Sequence, residues 1–164
     1  LTGANLSGAR LSNADLSQSE LTGANLSNAE LYNTQLIGAN LSEANLAGAD
    51  LQKAQLTNTN LHRANLTSAW LASAQLQDAN LSQANLFKST LNSANLQDAD
   101  LSQANLMEAS LIKANLQDVD LQDADLNKTI LFKASVSKAA LIEAQLCLTS
   151  LPDYTMRSRD CDRS

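Results

Sequence analysis

The sequence predicts an all-β solenoid in which four pentapeptides make each 20-residue coil, and three observations support this prediction. Leucine recurs at every fifth position from Leu1 to Leu131, and the series continues through Val136 to Leu151. A small residue, usually alanine, stands two places before each of these positions. Asparagine recurs before leucine in rows that step by 20. Self-similarity at a fixed period is typical of repeat architectures.

A period of five excludes both regular structures. On an α-helix of about 3.6 residues per turn, each step would rotate the leucine by roughly 140°, so no single face would be apolar. On a β-strand, an odd step sends successive leucines to opposite faces. We therefore expect short extended sides, with the small residue and the leucine pointing inward, joined by two-residue bends. At a spacing of roughly 4.8 Å, about seven and a half coils make a rod of on the order of 36 Å.

The repeated unit resembles that of a known family. Residues 80–86 read Asn-Leu-Ser-Gln-Ala-Asn-Leu, which is similar to the motif Ala-(Asp/Asn)-Leu-X-X of the pentapeptide-repeat proteins, and to the long arrays of cyanobacterial members in particular. The resemblance implies a right-handed quadrilateral parallel β-helix. It implies no single activity, because the family includes topoisomerase-binding DNA mimics and many cyanobacterial proteins of unassigned role.

Composition and charge exclude several functions. No apolar run approaches the roughly 20 residues of a membrane helix, and the net charge of −6 argues against direct nucleic-acid binding, which normally needs a basic patch. No Ser-His-Asp, Cys-His or metal-ligand set is visible, so we expect neither an enzyme nor a cofactor or metal site. The single histidine, His62, has no second histidine or cysteine at ligand spacing.

Along the chain, the first 50 residues contain all five glycines. Each takes the second bend position, where freedom in φ is useful. They are Gly3, Gly8, Gly23, Gly38 and Gly48.

Apolar residues then interrupt the polar surface pattern. Most fall on the one row without asparagine or on the bend that follows it, and the others lie on the adjoining side. A clustered apolar patch often marks an interface, although such residues can also be tolerated singly or be covered by the chain's own tail. The candidate interaction patch comprises Tyr32, Trp70, Phe87, Met107, Ile112, Ile130 and Phe132.

Aspartates form a second departure, which we call the acidic corner. Repeated Gln-Asp-Ala-Asp and Gln-Asp-Val-Asp segments place carboxylates one coil above another. Stacked carboxylates repel, so the corner needs solvent screening, a cation or a basic partner, and screening by solvent is the simplest of these. The acidic corner comprises Asp78, Asp98, Asp100, Asp118, Asp120, Asp123 and Asp125.

The fivefold register lapses after Leu151. Pro152 cannot donate a ladder hydrogen bond, so we expect a β-helix over residues 1–151 and a cap or tail over 152–164. Cys147 and Cys161 allow two interpretations. They are a disulfide that fastens the tail in a periplasm or thylakoid lumen, or two thiols in a reducing cytoplasm. Two cysteines do not decide between these compartments.

Two functions remain after these exclusions. The first is a protein-interaction scaffold that binds its partner through a solenoid side or a coil end. A homodimer through the Ile112, Ile130 and Phe132 patch or through the first coil is one form of it. The second is an acidic DNA mimic that binds a type II topoisomerase such as gyrase, as the resemblance implies. Lysines interrupt the negative charge, so the scaffold is preferred.

Overall fold

A computed structural model describes residues 1–158 and 160–161. Parallel backbone bridges join residues 20 apart along the chain, from Asn5–Asn25 to Ile130–Ser150. Most bridges are a single residue wide. One longer parallel ladder pairs β1 (Asn115–Leu116) with β2 (Ser135–Val136). The chain therefore has the stacked parallel pairing of a β-helix with few continuous strands, because each extended side is only about three residues long.

The leucine column forms the core, as the sequence predicts. Every leucine of the series from Leu21 to Leu131 is at most 1% exposed. The small residues beside them are buried too, and those with a hydroxyl donate it to a leucine carbonyl, as Thr59 Oγ1 does to Leu36 O at 2.7 Å. No buried side-chain nitrogen or oxygen lacks a partner in the described residues. Leu and Ala thus fill the interior along the repeat. A cavity of about 460 Å³ lies at the C-terminal end, where Leu141, Leu146 and Leu151 contribute to its lining.

Every backbone N–H of the pentapeptide at residues 85–89 has an acceptor. Three donate to carbonyls of neighbouring coils at 2.7 to 3.1 Å, and a fourth, from Ser89 to Leu86, closes the bend at 3.0 Å. The fifth, on Phe87, donates to Asn85 Oδ1 at 3.2 Å. An asparagine or aspartate before leucine therefore satisfies the last donor of its bend, which gives the repeated Asn-Leu pair a physical reason.

The bends confirm the prediction for the second bend position. Its φ is positive throughout the repeat, for example 65° at Gly38, 58° at Asp98 and 59° at Lys113. A positive φ there, together with the hydrogen bond that closes the bend, is the signature of a type II turn. A left-handed residue with a side chain costs about 1 kcal/mol. At Gly38 a Cβ would also collide with the side chain of Gln18.

A helix interrupts the repeat near the C-terminal end of the rod. Helix α1 (Lys138–Glu143) replaces the side expected around Leu141. The sequence pattern did not predict it, but the local residues explain it. Ser137 caps the helix by accepting the N–H of Ala140 through Oγ at 3.1 Å. Ala140 also replaces the asparagine or aspartate that often precedes leucine in the repeat, and alanine has a high helix propensity. Bridges resume afterwards at Gln145 and Ser150.

The tail folds back on the last coil. Strand β3 (Thr149–Ser150) pairs antiparallel with β4 (Met156–Arg157). Asp160 accepts the N–H of Leu146 through Oδ2 at 3.1 Å and donates its own N–H to Leu146 O at 3.2 Å. Residues 159 and 162–164 of the predicted tail lie outside the described residues. Among the described residues, no helix has the length and apolarity needed to cross a bilayer.

Candidate functional site

The row without asparagine forms one side of the coil, which we call the Trp70 side. Consecutive members are bridged from coil to coil, so they lie directly above one another. Trp70 and Ile130 are 57% and 42% exposed, and Thr90 and Ser110 lie between them. Trp70 borders a shallow depression of about 250 Å³ that Gln52, Ala72 and Thr90 also line. The full row is Arg10, Glu30, Asp50, Trp70, Thr90, Ser110, Ile130 and Ser150.

An apolar cluster lies where the Trp70 side meets the next bend. Ile112 and Phe132 occupy the same bend position in adjacent coils, and Lys113 N donates to Phe132 O across that gap at 2.8 Å. Tyr154 of the tail packs on Phe132, with ring centroids 4.2 Å apart, and remains 74% exposed. With Ile130 these residues form the Phe132 cluster, which consists of Ile112, Ile130, Phe132 and Tyr154.

The bend on the other edge of the Trp70 side carries Phe87 and Met107. Lys88 N donates to Met107 O at 3.1 Å, so the two side chains belong to adjacent coils. The Lys88 ammonium lies 4.9 Å from the centroid of the Phe87 ring. Both side chains are half-buried, and they add apolar area beside the Trp70 side.

Tyr32 is remote from the Phe132 cluster. Five coils separate Tyr32 from Phe132, which corresponds to ~24 Å along the rod. Its neighbour is Lys53, whose ammonium lies 5.4 Å from the ring centroid and whose pKa is raised by a hydrogen bond with Tyr32. The predicted seven-residue patch is therefore an elongated strip in which Phe87 pairs with Met107, the Phe132 cluster is contiguous, and Trp70 and Tyr32 stand apart.

Lysines flank the strip on both edges. Glu108 forms ion pairs with Lys88 and Lys128, at 3.5 and 3.6 Å, on the bend that carries Phe87. On the opposite bend, Lys113 and Lys133 have no ion pair among the described residues, and the Lys133 ammonium lies 5.1 Å from the Phe132 ring. Positive charge and apolar surface thus occur together.

The acidic corner lies mostly on the other half of the coil. Asp78, Asp98 and Asp118 take the second bend position, with φ of 56°, 58° and 54°, and Asp123 takes it at the next bend. Asp100 accepts the N–H of Ser102 at 2.9 Å. The described residues contain no group of His, Cys, Asp or Glu arranged to hold a metal ion.

Three of these aspartates have a structural role that the sequence analysis missed. Asp100, Asp120 and Asp125 each accept the N–H of the residue two places on, at 2.8 to 2.9 Å. Asparagine does the same elsewhere in the repeat, and the shared position before leucine is the signal that could have identified this role. These carboxylates therefore cap bends whether or not a ligand binds.

Comparison with known proteins now decides the family. A family model described as pentapeptide repeats matches the chain in eight copies, with matches at residues 1–36, 34–71, 69–106, 89–127 and 109–146. This chain belongs to the pentapeptide-repeat family. No curated protein matches it in sequence.

Solved structures similar to this pentapeptide-repeat protein come from several sources. QnrB1 (R167E, trypsin-treated), a plasmid-mediated fluoroquinolone resistance protein, superimposes with a TM-score of 0.61 at 16% identity, over 93% of this chain and 88% of that chain. HetL, involved in heterocyst differentiation regulation in the cyanobacterium Nostoc sp. strain PCC 7120, is 32% identical over 96% of this chain and 89% of that chain, with a TM-score of 0.30. The QnrB1 likeness concerns the fold alone.

A third similar structure is a pentapeptide repeat protein from the thylakoid lumen of Arabidopsis thaliana. It is 29% identical over 75% of this chain and 68% of that chain, with a TM-score of 0.38.

The two cysteines of this pentapeptide-repeat protein meet at the last coil. Cys147 Sγ and Cys161 Sγ are 2.11 Å apart and form a disulfide across 14 residues. Within the segment that it closes, the N–H and hydroxyl of Thr155 donate to Asp153 and lower the pKa of its carboxyl. The disulfide therefore joins the tail to the bend row that also carries Phe87 and Met107.

Proposed function

We propose that this pentapeptide-repeat protein is a non-catalytic scaffold that binds a protein partner through the Trp70 side. The observation that supports the proposal is the Phe132 cluster. Ile130 is 42% exposed and Tyr154 74% exposed on a rod whose surface is otherwise mostly polar. Clustered exposed apolar residues mark protein interfaces, and aromatic side chains are common anchors at their centres.

The backbone under the cluster supports the same proposal. Each coil is hydrogen-bonded to both neighbours, so Ile112, Ile130 and Phe132 are presented from positions that need no ordering when a partner binds. A preorganised surface loses less conformational entropy on association. Leu and Ala fill the interior along the repeat, so its described coils enclose no substrate cleft between them, which favours binding over catalysis.

We also infer a right-handed, four-sided coil over residues 1–151, followed by a C-terminal cap or tail. Four bends occur in every 20-residue step of the repeat, which supports a four-sided cross-section. The disulfide favours an oxidising compartment, such as a periplasm or a thylakoid lumen. A homodimer that uses the Phe132 cluster is one possible form of the interaction.

Replacing Ile130 by Ser tests the proposal without disturbing the fold, because Ser110 and Ser150 occupy the same row naturally. The matched control is Ile37→Ser, which changes an isoleucine of similar exposure, 39% against 42%, on a different bend. Loss of an interface anchor costs about 1 to 2 kcal/mol of binding free energy. Ile130→Ser should therefore lower the affinity for a captured partner roughly five- to thirtyfold.

The partner is first captured from a source-cell extract. Its affinity for each variant is then measured with the purified partner. Ile37→Ser should retain the affinity of the unmodified chain. Light scattering of the same proteins reports whether a homodimer forms, and if one forms through the Phe132 cluster, Ile130→Ser should dissociate it. Equal partner affinity and equal mass for the unmodified chain, Ile130→Ser and Ile37→Ser would refute the Trp70 side as the binding surface.

The alternative function is an acidic DNA mimic that binds a type II topoisomerase such as gyrase. Aspartates at Asp78, Asp98 and Asp118, one coil apart, favour it. Five exposed lysines on the Trp70 side oppose it, because a mimic needs negative charge along most of its length. A gyrase supercoiling assay separates the two functions, and no inhibition at micromolar protein would exclude mimicry.

A further inference from the structure

The lysines of this chain are concentrated on one part of the coil. Five of its six lysines take second bend positions on the two bends that bound the Trp70 side, and the sixth, Lys138, begins helix α1. All five are exposed. They are Lys53, Lys88, Lys113, Lys128 and Lys133.

Two of these lysines add unneutralised charge to the Phe132 cluster. Glu108 lies between Lys88 and Lys128 and pairs with both. Lys113 and Lys133 occupy adjacent coils, ~4.8 Å apart along the rod, and neither has an ion pair among the described residues. Like charges so close repel each other, and an anion bound beside Phe132 would relieve that repulsion.

A second copy of this chain fits the cluster poorly. The carboxylates of its acidic corner lie about half a coil from the Trp70 side, around Asp98 and Asp100. Within one coil of that pair, the described residues include no exposed large hydrophobic side chain, and the exposed Ile142 lies further along, one coil beyond Gln122. Two copies, each with net charge −6, also repel at long range. A foreign partner that supplies both an apolar anchor and carboxylates matches the surface better.

We propose that the partner of the Trp70 side is an acidic protein segment, with an apolar side chain that packs on the Phe132 cluster and carboxylates that pair with Lys113 and Lys133. This inference rests on the proposed function and adds the chemistry of the partner. Complementary charge at the edge of an apolar contact gives specificity and speeds association. The apolar contact holds the segment, and the two ammonium groups select acidic sequences.

The test uses the full chain and a labelled synthetic peptide in which glutamate alternates with phenylalanine and leucine. A matched peptide has lysine at every glutamate. Fluorescence polarisation should show saturable binding of the acidic peptide that weakens with added salt, and no binding of the basic peptide. Equal binding of both peptides, or no binding of the acidic one, would overturn the proposal.

The double variant Lys113→Gln/Lys133→Gln should lower the affinity for the acidic peptide about tenfold, which corresponds to ~1.4 kcal/mol. Glutamine is tolerated at second bend positions, as Gln83 and Gln103 show, with φ of 59° and 57°. The control is Arg63→Gln, which removes a cation from the same bend position on another corner and should leave the affinity unchanged. Unchanged binding by the double variant would contradict the role of the two lysines.

The outcomes separate this inference from the proposed function. If a captured partner is lost with Ile130→Ser but retained by the lysine double variant, the Trp70 side is the interface and the acidic chemistry is wrong. If both variants retain the partner, both proposals fail. If light scattering shows a dimer that the lysine double variant dissociates, the occupant is a second copy and the foreign acidic segment is refuted.

Discussion

Replacing Leu86 by Asp should unfold several coils at once. Leu86 is fully buried, at 0% exposure, and the leucines of the neighbouring coils pack directly above and below it. A lone carboxylate at this depth has no partner, and the effective penalty for burying an ion is several kcal/mol even after relaxation. Because each coil is stabilised mainly by contacts with its neighbours, the damage should spread to both sides.

The matched control places the same residue outward. Gln83 is exposed at a second bend position, where Asp78 and Asp98 already occur in the chain with similar φ. Gln83→Asp should therefore change stability by less than about 0.5 kcal/mol. Thermal unfolding followed by circular dichroism measures both variants. Similar melting temperatures for the two would contradict the inward assignment of the leucine column.

Removing the disulfide should release the tail and leave the rod intact. The closed loop spans 14 residues, for which the chain-entropy model assigns about 3 kcal/mol. Without it, the tail is held by the Asp160–Leu146 pair, the Phe132–Tyr154 contact and the short β3–β4 ladder. Coils far from residue 147 make no contact with the tail, so they should keep their stability.

Hydrogen exchange of Cys147→Ser should show lost protection at residues 153–157 and unchanged protection at residues 21–131. The control is the unmodified chain before and after addition of a reductant. Alkylation of unreduced protein from an oxidising compartment should label neither cysteine. Labelling of both cysteines in that material, or unchanged protection in the variant, would rule out the disulfide as the fastening of the tail.

Burial of the core follows from the sequence because it depends on a strict period. The leucine at every fifth position and the small residue two places earlier are buried in the structure, and the asparagine rows that step by 20 correspond to bridges 20 residues apart. Glycine marked the second bend position, and positive φ there extends to Lys, Gln and Asp. A contact that recurs in every coil requires the same residue type at each repeat, so the sequence pattern predicts it.

Features that occur once in the chain could not be predicted from the repeat pattern. Helix α1 depends on local residues, namely Ser137, Ala139 and Ala140, and a fivefold pattern does not reveal such a local preference. The contact between Tyr154 and Phe132 joins the tail to a bend 22 positions earlier, which no period specifies. The sequence analysis noted the lysines individually, but the folded coil is needed to show that they lie together beside the Trp70 side. The structure divides the candidate interaction patch into separate parts, and its role in binding stays a prediction.

Hydroxyl-radical footprinting of the chain with and without its captured partner reports the exposure of individual side chains, so it identifies the surface that the partner covers. Phe132 and Tyr154, in the Phe132 cluster, and Met107, beside the Trp70 side, are reactive residues, and Tyr32 serves as an internal control ~24 Å away. Binding at the Trp70 side should reduce oxidation at Phe132, Tyr154 and Met107 and leave the oxidation of Tyr32 unchanged. Protection confined to the half of the coil that carries Asp98 and Asp100, with Phe132 and Tyr154 oxidised as in the free chain, would contradict it.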